Sequence, residues 1–466
     1  MNRVLRSCLL ATAVVAASCN CSKSRPHSER EDNPHVVLGD AGAALVRPKP
    51  FLCEPSAGGE VFTLGSTNGA DEDDDSGLDI PFAINVGDGL ALEGGFAVTA
   101  VDGRGSRTQA ILGLMSTDAQ RSRKIDLGRV YGDADPPRVA GNAERLVLAM
   151  ADMDAGGRTL SLARVDAPLK QPTVTRGSDV SVAGSPSTLF SLALNGNQGV
   201  LIWDQEERSS DFSEVALVPF LVQSLTLVGR PLVVSGKRVS ADSPRVMSRP
   251  GGFWVVWVQA GAEVAPAGKS ANGKVAQKFS GSPNDDNLNP VDMGTRELRA
   301  LTLDTSGHPL GKPLRVAEGE SHVVAYDVGL LDDGAALLAW RDDDTTPGVE
   351  SQIVRLARVG IDGHVDFYRT EDETIGVGAP QLLVDTSVPP QDRVWLALVN
   401  TGERTSIIKL LPNGRPTGLI VGDAELGVAN PLLRHQGRLL LVRQRGKGVD
   451  MEAIHCSLTA EGQPPG

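Results

Sequence analysis

Two stretches decide the fold: 243–259, SPRVMSRPGGFWVVWVQ, and 296–316, RELRALTLDTSGHPLGKPLRV. Apolar runs rich in Val, Leu and Trp, bounded by Gly and Pro, predict four strands at 245–248, 253–259, 296–303 and 313–316. A Pro-Gly-Gly turn joins the first two, an insertion over 260–295 separates the second from the third, and a turn around Gly307 joins the last two.

The unit recurs. Apolar second strands follow as GGFAVTAVD, ERLVLAMAD, GVLIWD, GFWVVWVQ, AALLAWRD, RVWLALVN and GRLLLVRQ, with Trp203, Trp257 and Trp340 at one shared place. Copies start near residues 80, 136, 185, 243, 322, 379 and 429. Proline precedes the first strand of six copies, where its missing N–H costs no ladder bond (Pro81, Pro137, Pro186, Pro244, Pro380, Pro431). Ser306-Gly307, Asp362-Gly363 and Asn413-Gly414 mark the last turn of three copies. Strands apolar on both faces fit sheets packed between two neighbours. The expectation is an all-β, seven-bladed β-propeller over 51–466, carrying the insertion at 260–295.

This pattern resembles the diverged, aliphatic propeller repeats of bacterial surface and periplasmic lipoproteins. Trp203-Asp204 is the one Trp-Asp pair and lacks a Gly-His partner, which argues against WD40 repeats. Irregular Gly-Gly pairs argue against kelch repeats.

The N-terminus carries Arg3 and Arg6, then the short apolar run CLLATAVVAA, then Ala16-Ala17-Ser18 before Cys19. It reads as a signal peptide over 1–18 and resembles a lipobox, which implies lipidation of Cys19. It departs from that pattern in having Ala16 where Leu is preferred, and an ordinary signal-peptidase site remains open. Residues 19–50 are polar and read as a disordered tether. The expected address is the outer membrane or cell surface, lipid-anchored, with a periplasmic or secreted protein as the alternative.

The formal net charge of −13 argues against nucleic acid and allows a cation, basic peptide or basic protein. Asp102, Asp152, Asp204 and Asp342 each end the second strand of a copy. Antiparallel geometry puts them on one face with the acidic loop 65–79, whereas Arg121, Arg123, Lys124, Lys170, Arg249 and Arg415 fall on the other. The first reading is a non-catalytic binding propeller using this acidic face; turn-opening Asp is the plainer reading of the same residues. The alternative is a propeller hydrolase or lyase acting on extracellular polymers, with a carboxylate pair at the channel mouth. No nucleophile elbow, phosphate loop or metal-ligand histidine spacing occurs, so no catalytic residue or metal is nominated. An EF-hand fitted from Asp71 fails at positions 6 and 12, which leaves calcium a weak alternative to having no cofactor.

The last copy lacks a fourth strand, and the strand left over is 60–64. It is expected to close the ring as the outermost strand of the last blade, beside a Cys53–Cys456 disulfide. For the anchor, Cys19→Ala is expected to move the protein from membranes to the soluble fraction. An intact mass with an unmodified N-terminus would reject lipidation.

Overall fold

The computed structural model describes residues 51–55, 61–63, 84–102, 108–116, 122–130, 135–154, 157–182, 189–206, 212–236, 239–260, 295–316, 322–343, 352–369, 379–399, 405–424, 432–435, 438–445 and 450–456. They are almost entirely β; among them the only helical turn is the 3₁₀ segment Pro390–Asp392. The acidic loop 65–79 and most of the 260–295 insertion lie outside the described residues.

Two short strands come first, β1 (Phe51–Pro55) and β2 (Val61–Thr63). The first sheet holds β3 (Ile84–Leu92), β4 (Gly95–Asp102), β5 (Gln109–Ser116) and β6 (Ser122–Arg129). The second holds β7 (Arg138–Gly141), β8 (Arg145–Asp154), β9 (Gly157–Asp166) and β10 (Thr173–Val182). The third holds β11 (Phe190–Asn195), β12 (Gln198–Glu206), β13 (Ser213–Leu221), β14 (Thr226–Leu227) and β15 (Leu232–Val233). The fourth holds β16 (Ala241–Arg249), β17 (Gly252–Ala260), β18 (Arg296–Leu303) and β19 (Leu314–Arg315). The fifth holds β20 (Val323–Leu330), β21 (Ala336–Asp343), β22 (Gln352–Val359) and β23 (Val365–Arg369). After them come β24 (Gln381–Val384), β25 (Val394–Val399), β26 (Thr405–Leu410) and β27 (Pro416–Ala424), then β28 (Leu432–His435), β29 (Arg438–Arg445) and β30 (Asp450–Cys456).

Consecutive strands pair antiparallel within each sheet. The first strands neighbour one another in the order β3, β7, β11, β16, β20, β24, β28 and back to β3. That cyclic order makes the architecture propeller-like. The stretch 243–316 gives one four-stranded sheet, as its period predicts, and its third strand matches residue for residue.

Burial explains why the second strands are apolar throughout. In β12, Leu201 and Trp203 pack into the layer shared with the second sheet, and Val200 and Ile202 into the layer shared with the fourth. In β17, Val255 and Trp257 face the third sheet, and Trp254 and Val256 the fifth. Every side chain of such a strand meets a neighbouring sheet, so no polar alternation survives. Trp203, Trp254, Trp257, Trp340 and Trp395 are all fully buried.

The turns follow the predicted chemistry. Gly307, Gly363 and Gly414 have φ of 82°, 85° and 87°, a region L side chains avoid. At Gly414 a Cβ would also lie 2.4 Å from Leu337 Cδ1, so the turn is pressed against the fifth sheet.

Three details differ from expectation. Pro244 does not precede its strand; it lies inside β16, where the register slips between Asp242 and Arg245. A proline tolerates that bulge because no ladder bond needs its N–H there. The fourth strand of the third sheet is split into β14 and β15, both paired with β13. The N-terminal segment supplies two strands where one was expected. β2 pairs with β30, Val61 opposite Glu452 through Thr63 opposite Asp450, as the closure argument requires. β1 also pairs with β30, and it pairs in parallel with β27, so the last two sheets run together as one nine-stranded sheet.

Trp254 links two sheets by shape and by a hydrogen bond, since its Nε1 donates to Gly334 O at 2.9 Å. Trp254→Ala is expected to cost about 3–5 kcal/mol in urea unfolding. Trp254→Phe should cost about 1–3 kcal/mol, mainly through the carbonyl left unpaired.

Candidate functional site: the strained bulge at the channel mouth

Chain direction puts the ends of second strands and the starts of first strands on one face. There β12, β16, β18 and β20 bring together Asp204, Asp242, Ser243, Arg296 and Tyr326. Ser243 has φ 55° although it carries a side chain, a conformation that needs outside support. Its N–H donates to Asp204 Oδ2 at 3.4 Å. Its Oγ donates to Asp242 Oδ1 at 2.8 Å, and its carbonyl accepts from Tyr326 Oη at 2.5 Å. Tyr326 Oη also lies 2.8 Å from Val256 O, so the phenol plugs the gap the bulge opens. Burial pushes the Tyr326 phenol well above its usual range.

Asp242 receives both contacts of a bidentate pair from Arg296 Nη2, at 2.9 and 3.0 Å. Arg296 Nε donates onward to Val323 O, which ties the fourth sheet to the fifth. The Asp242 and Arg296 side chains keep 27% and 25% exposure, so this pair can meet a ligand.

Asp204 sits behind them. Its Oδ1 accepts from Leu189 N at 2.8 Å, and it is only 7% exposed. Burial, with the Asp242 charge added, pushes its carboxyl up to about 8. Asp342, near the end of the second strand of the fifth sheet, offers a comparison, although it follows Trp340 by two residues where Asp204 follows Trp203 by one. Its Oδ1 accepts from His322 N at 2.7 Å, as Asp204 does from Leu189. Its Oδ2, however, pairs with Arg355 at 2.5 Å. Arg355 stands opposite Trp340, two residues before Asp342; two residues before Asp204 is Ile202, and the residue opposite it is Leu217. The two carboxyls thus share one backbone duty, and the third sheet has no cation at that matching position.

The four aspartates expected on a binding rim therefore do not form one solvent-facing set. Asp204 and Asp342 are buried acceptors of backbone N–H groups. Of Asp102 and Asp152 only the register is described, opposite Gln109 and Thr159. Arg249, expected on the basic face, is 6% exposed and donates to Pro250 O and Leu303 O. Burial pushes its guanidinium pKa down. His308 and His364 are exposed turn residues, with side chains 72% and 68% accessible. Among the described residues, no group of three or more His, Cys, Asp or Glu side chains is placed to hold a metal. Sequence reasoning missed Asp242, Ser243, Arg296 and Tyr326. The usable signal was Asp-Ser-Pro inside a strand, since proline there implies a bulge.

No family model matches the chain, and no curated protein matches it. Among solved structures, the polysaccharide lyase Uly1 is similar with a TM-score of 0.50 at 12% identity, over 82% of this chain and 91% of that one. An ulvan lyase from a new polysaccharide lyase family gives 0.49 at 12% identity, over 80% and 94%. The β-propeller domain of the Trilobed protease from Pyrococcus furiosus gives 0.44 at 10%, over 80% and 93%. At these identities the likeness concerns the fold alone.

The raised Asp204 carboxyl makes stability pH-dependent. Unfolded, this group ionises near 3.9; folded, it holds its proton to about 8. Its contribution is full below the lower value and is lost as pH rises through the upper, because the unfolded chain sheds the proton first. Denaturant unfolding from pH 4 to 8 is expected to show a declining stability that Asp204→Asn flattens. Equal slopes in the two proteins would show that Asp204 ionises normally.

Proposed function

We propose that this chain is a cell-envelope propeller enzyme, a hydrolase or lyase that cleaves an extracellular polysaccharide at the bulged channel mouth. The observation that carries this reading is the strained Ser243. Strain of this kind persists only where surrounding structure holds it, and it clusters at working sites. Here Asp204 and Tyr326 hold the backbone while Asp242 and Arg296 stay accessible. Asp242 is the group to take a proton or meet a sugar carbon, and Arg296 orients it. Asp204 is a positioning residue, acting on Asp242 through Ser243. The polysaccharide lyase that shares the fold fits this substrate class.

The cyclic order of first strands supports a ring of seven blades. The Arg3–Cys19 segment supports anchoring through a lipid on Cys19, at the outer membrane or cell surface. Non-catalytic binding of a cation, basic peptide or basic protein is the rival function.

The test is turnover of neutral and uronate-containing polysaccharides by the full chain. New reducing ends alone indicate hydrolysis, and ultraviolet absorbance from a new C=C bond indicates elimination. Asp242→Asn should lower the rate about 10²–10⁴-fold with its thermal midpoint retained. No product from any polymer, or an unchanged rate in that variant, would return the protein to the binding reading.

A further inference from the structure

We propose that Cys53 and Cys456 form a disulfide that fastens the N-terminal strand across the seam between the last two sheets, and that its reduction releases that strand. The two cysteines are direct partners in the antiparallel β1–β30 register. Opposed residues in such a pair have Cα atoms about 4.5 or 5.5 Å apart. Both spacings fall inside the range of about 4.4–6.8 Å that a disulfide spans. No backbone movement is then needed to make the bond.

The seam has a mechanical need for it. β1 is five residues long and β2 three, whereas β4 and β5 of the first sheet run to eight and β8 and β9 of the second to ten. β1 meets β27 through only Phe51 opposite Gly422 and Leu52 opposite Asp423. It meets β30 through only Cys53, Glu54 and Pro55. Those few pairs fuse two sheets and hold the chain's first strand against its last. A bond at Cys53 adjoins the β27 contact and ties residue 53 to residue 456, so it restrains the unfolded chain over a very long loop. In forming it, two thiols lose two protons and two electrons to a disulfide oxidant, which leaves as two thiols.

This inference is independent of the proposed activity. The test is non-reducing peptide mapping of the purified full chain, followed by thermal unfolding with and without reductant. A linked peptide joining Cys53 to Cys456 is expected. Reductant should lower the Tm of the native chain and expose the 51–63 segment to protease. Cys53→Ser, Cys456→Ser and the double variant should share one lowered Tm that reductant no longer changes, because each removes the same bond. Alkylation of both thiols in the oxidised protein would overturn the proposal, as would a link from Cys21 to either cysteine. Losses that add in the double variant would also overturn it. Should the variants fail to fold, mapping and reductant response of the native chain decide alone.

Discussion

Each sheet has two apolar faces, and the rest of the structure follows from covering both. A strand such as β12 sends Leu201 and Trp203 to one neighbour and Val200 and Ile202 to the other. A stack of such sheets has exposed ends unless it closes. The layer containing Leu433 with Phe96, Val98 and Ile111 does that, since it joins the last repeat to the first. Closure is thus a requirement of the hydrophobic pattern itself. It also explains the role of the N-terminal strands, which both pair with β30 in the last repeat.

The packing was legible because it is written locally. Seven apolar second strands in recurring copies, glycine turns and a strand left over at 60–64 are features of neighbouring residues. Even the partner of that strand could be reasoned out, because the last copy was one strand short in the sequence pattern. The parallel β1–β27 pairing could not, since FLCEP has no period longer than its own five residues. Pro244 misled for a related reason. Five other prolines precede their strands, so the sixth was read alike, although Asp242 and Ser243 before it already belong to β16.

The site was less legible because it is assembled across sheets. Arg296 is 54 residues from Asp242, and Tyr326 is 83 from Ser243. Nothing in their spacing couples them; the ring does. The repeat did point to Asp204, but for its place at a strand end rather than for its protonation. Beside Asp342 the facing strand carries Arg355, and at the corresponding position beside Asp204 it carries Leu217, a difference that matters only once the strands are in register.

Polarity among the first strands is not in itself a sign of function. First strands of neighbouring sheets lie side by side in different sheets, and polar side chains bridge them. Asp88 accepts from Val139 N and pairs with Arg138. Ser191 accepts from Val246 N, and Asp327 from Leu382 N. Each bond crosses to the next sheet, so these groups are the stitching of the ring. Burial penalises the Arg138 cation, yet Asp88, with Asp135 and Asp327, outweighs that and the arginine's pKa is raised, as suits a structural pair. Asp204 differs in the residue it holds. It too reaches the next sheet, and burial raises its carboxyl as it does that of Asp327, but the residue it holds is strained. That the third sheet keeps a buried, raised carboxyl against a strained residue, beside an accessible Asp242, is the physical reason to look for chemistry there.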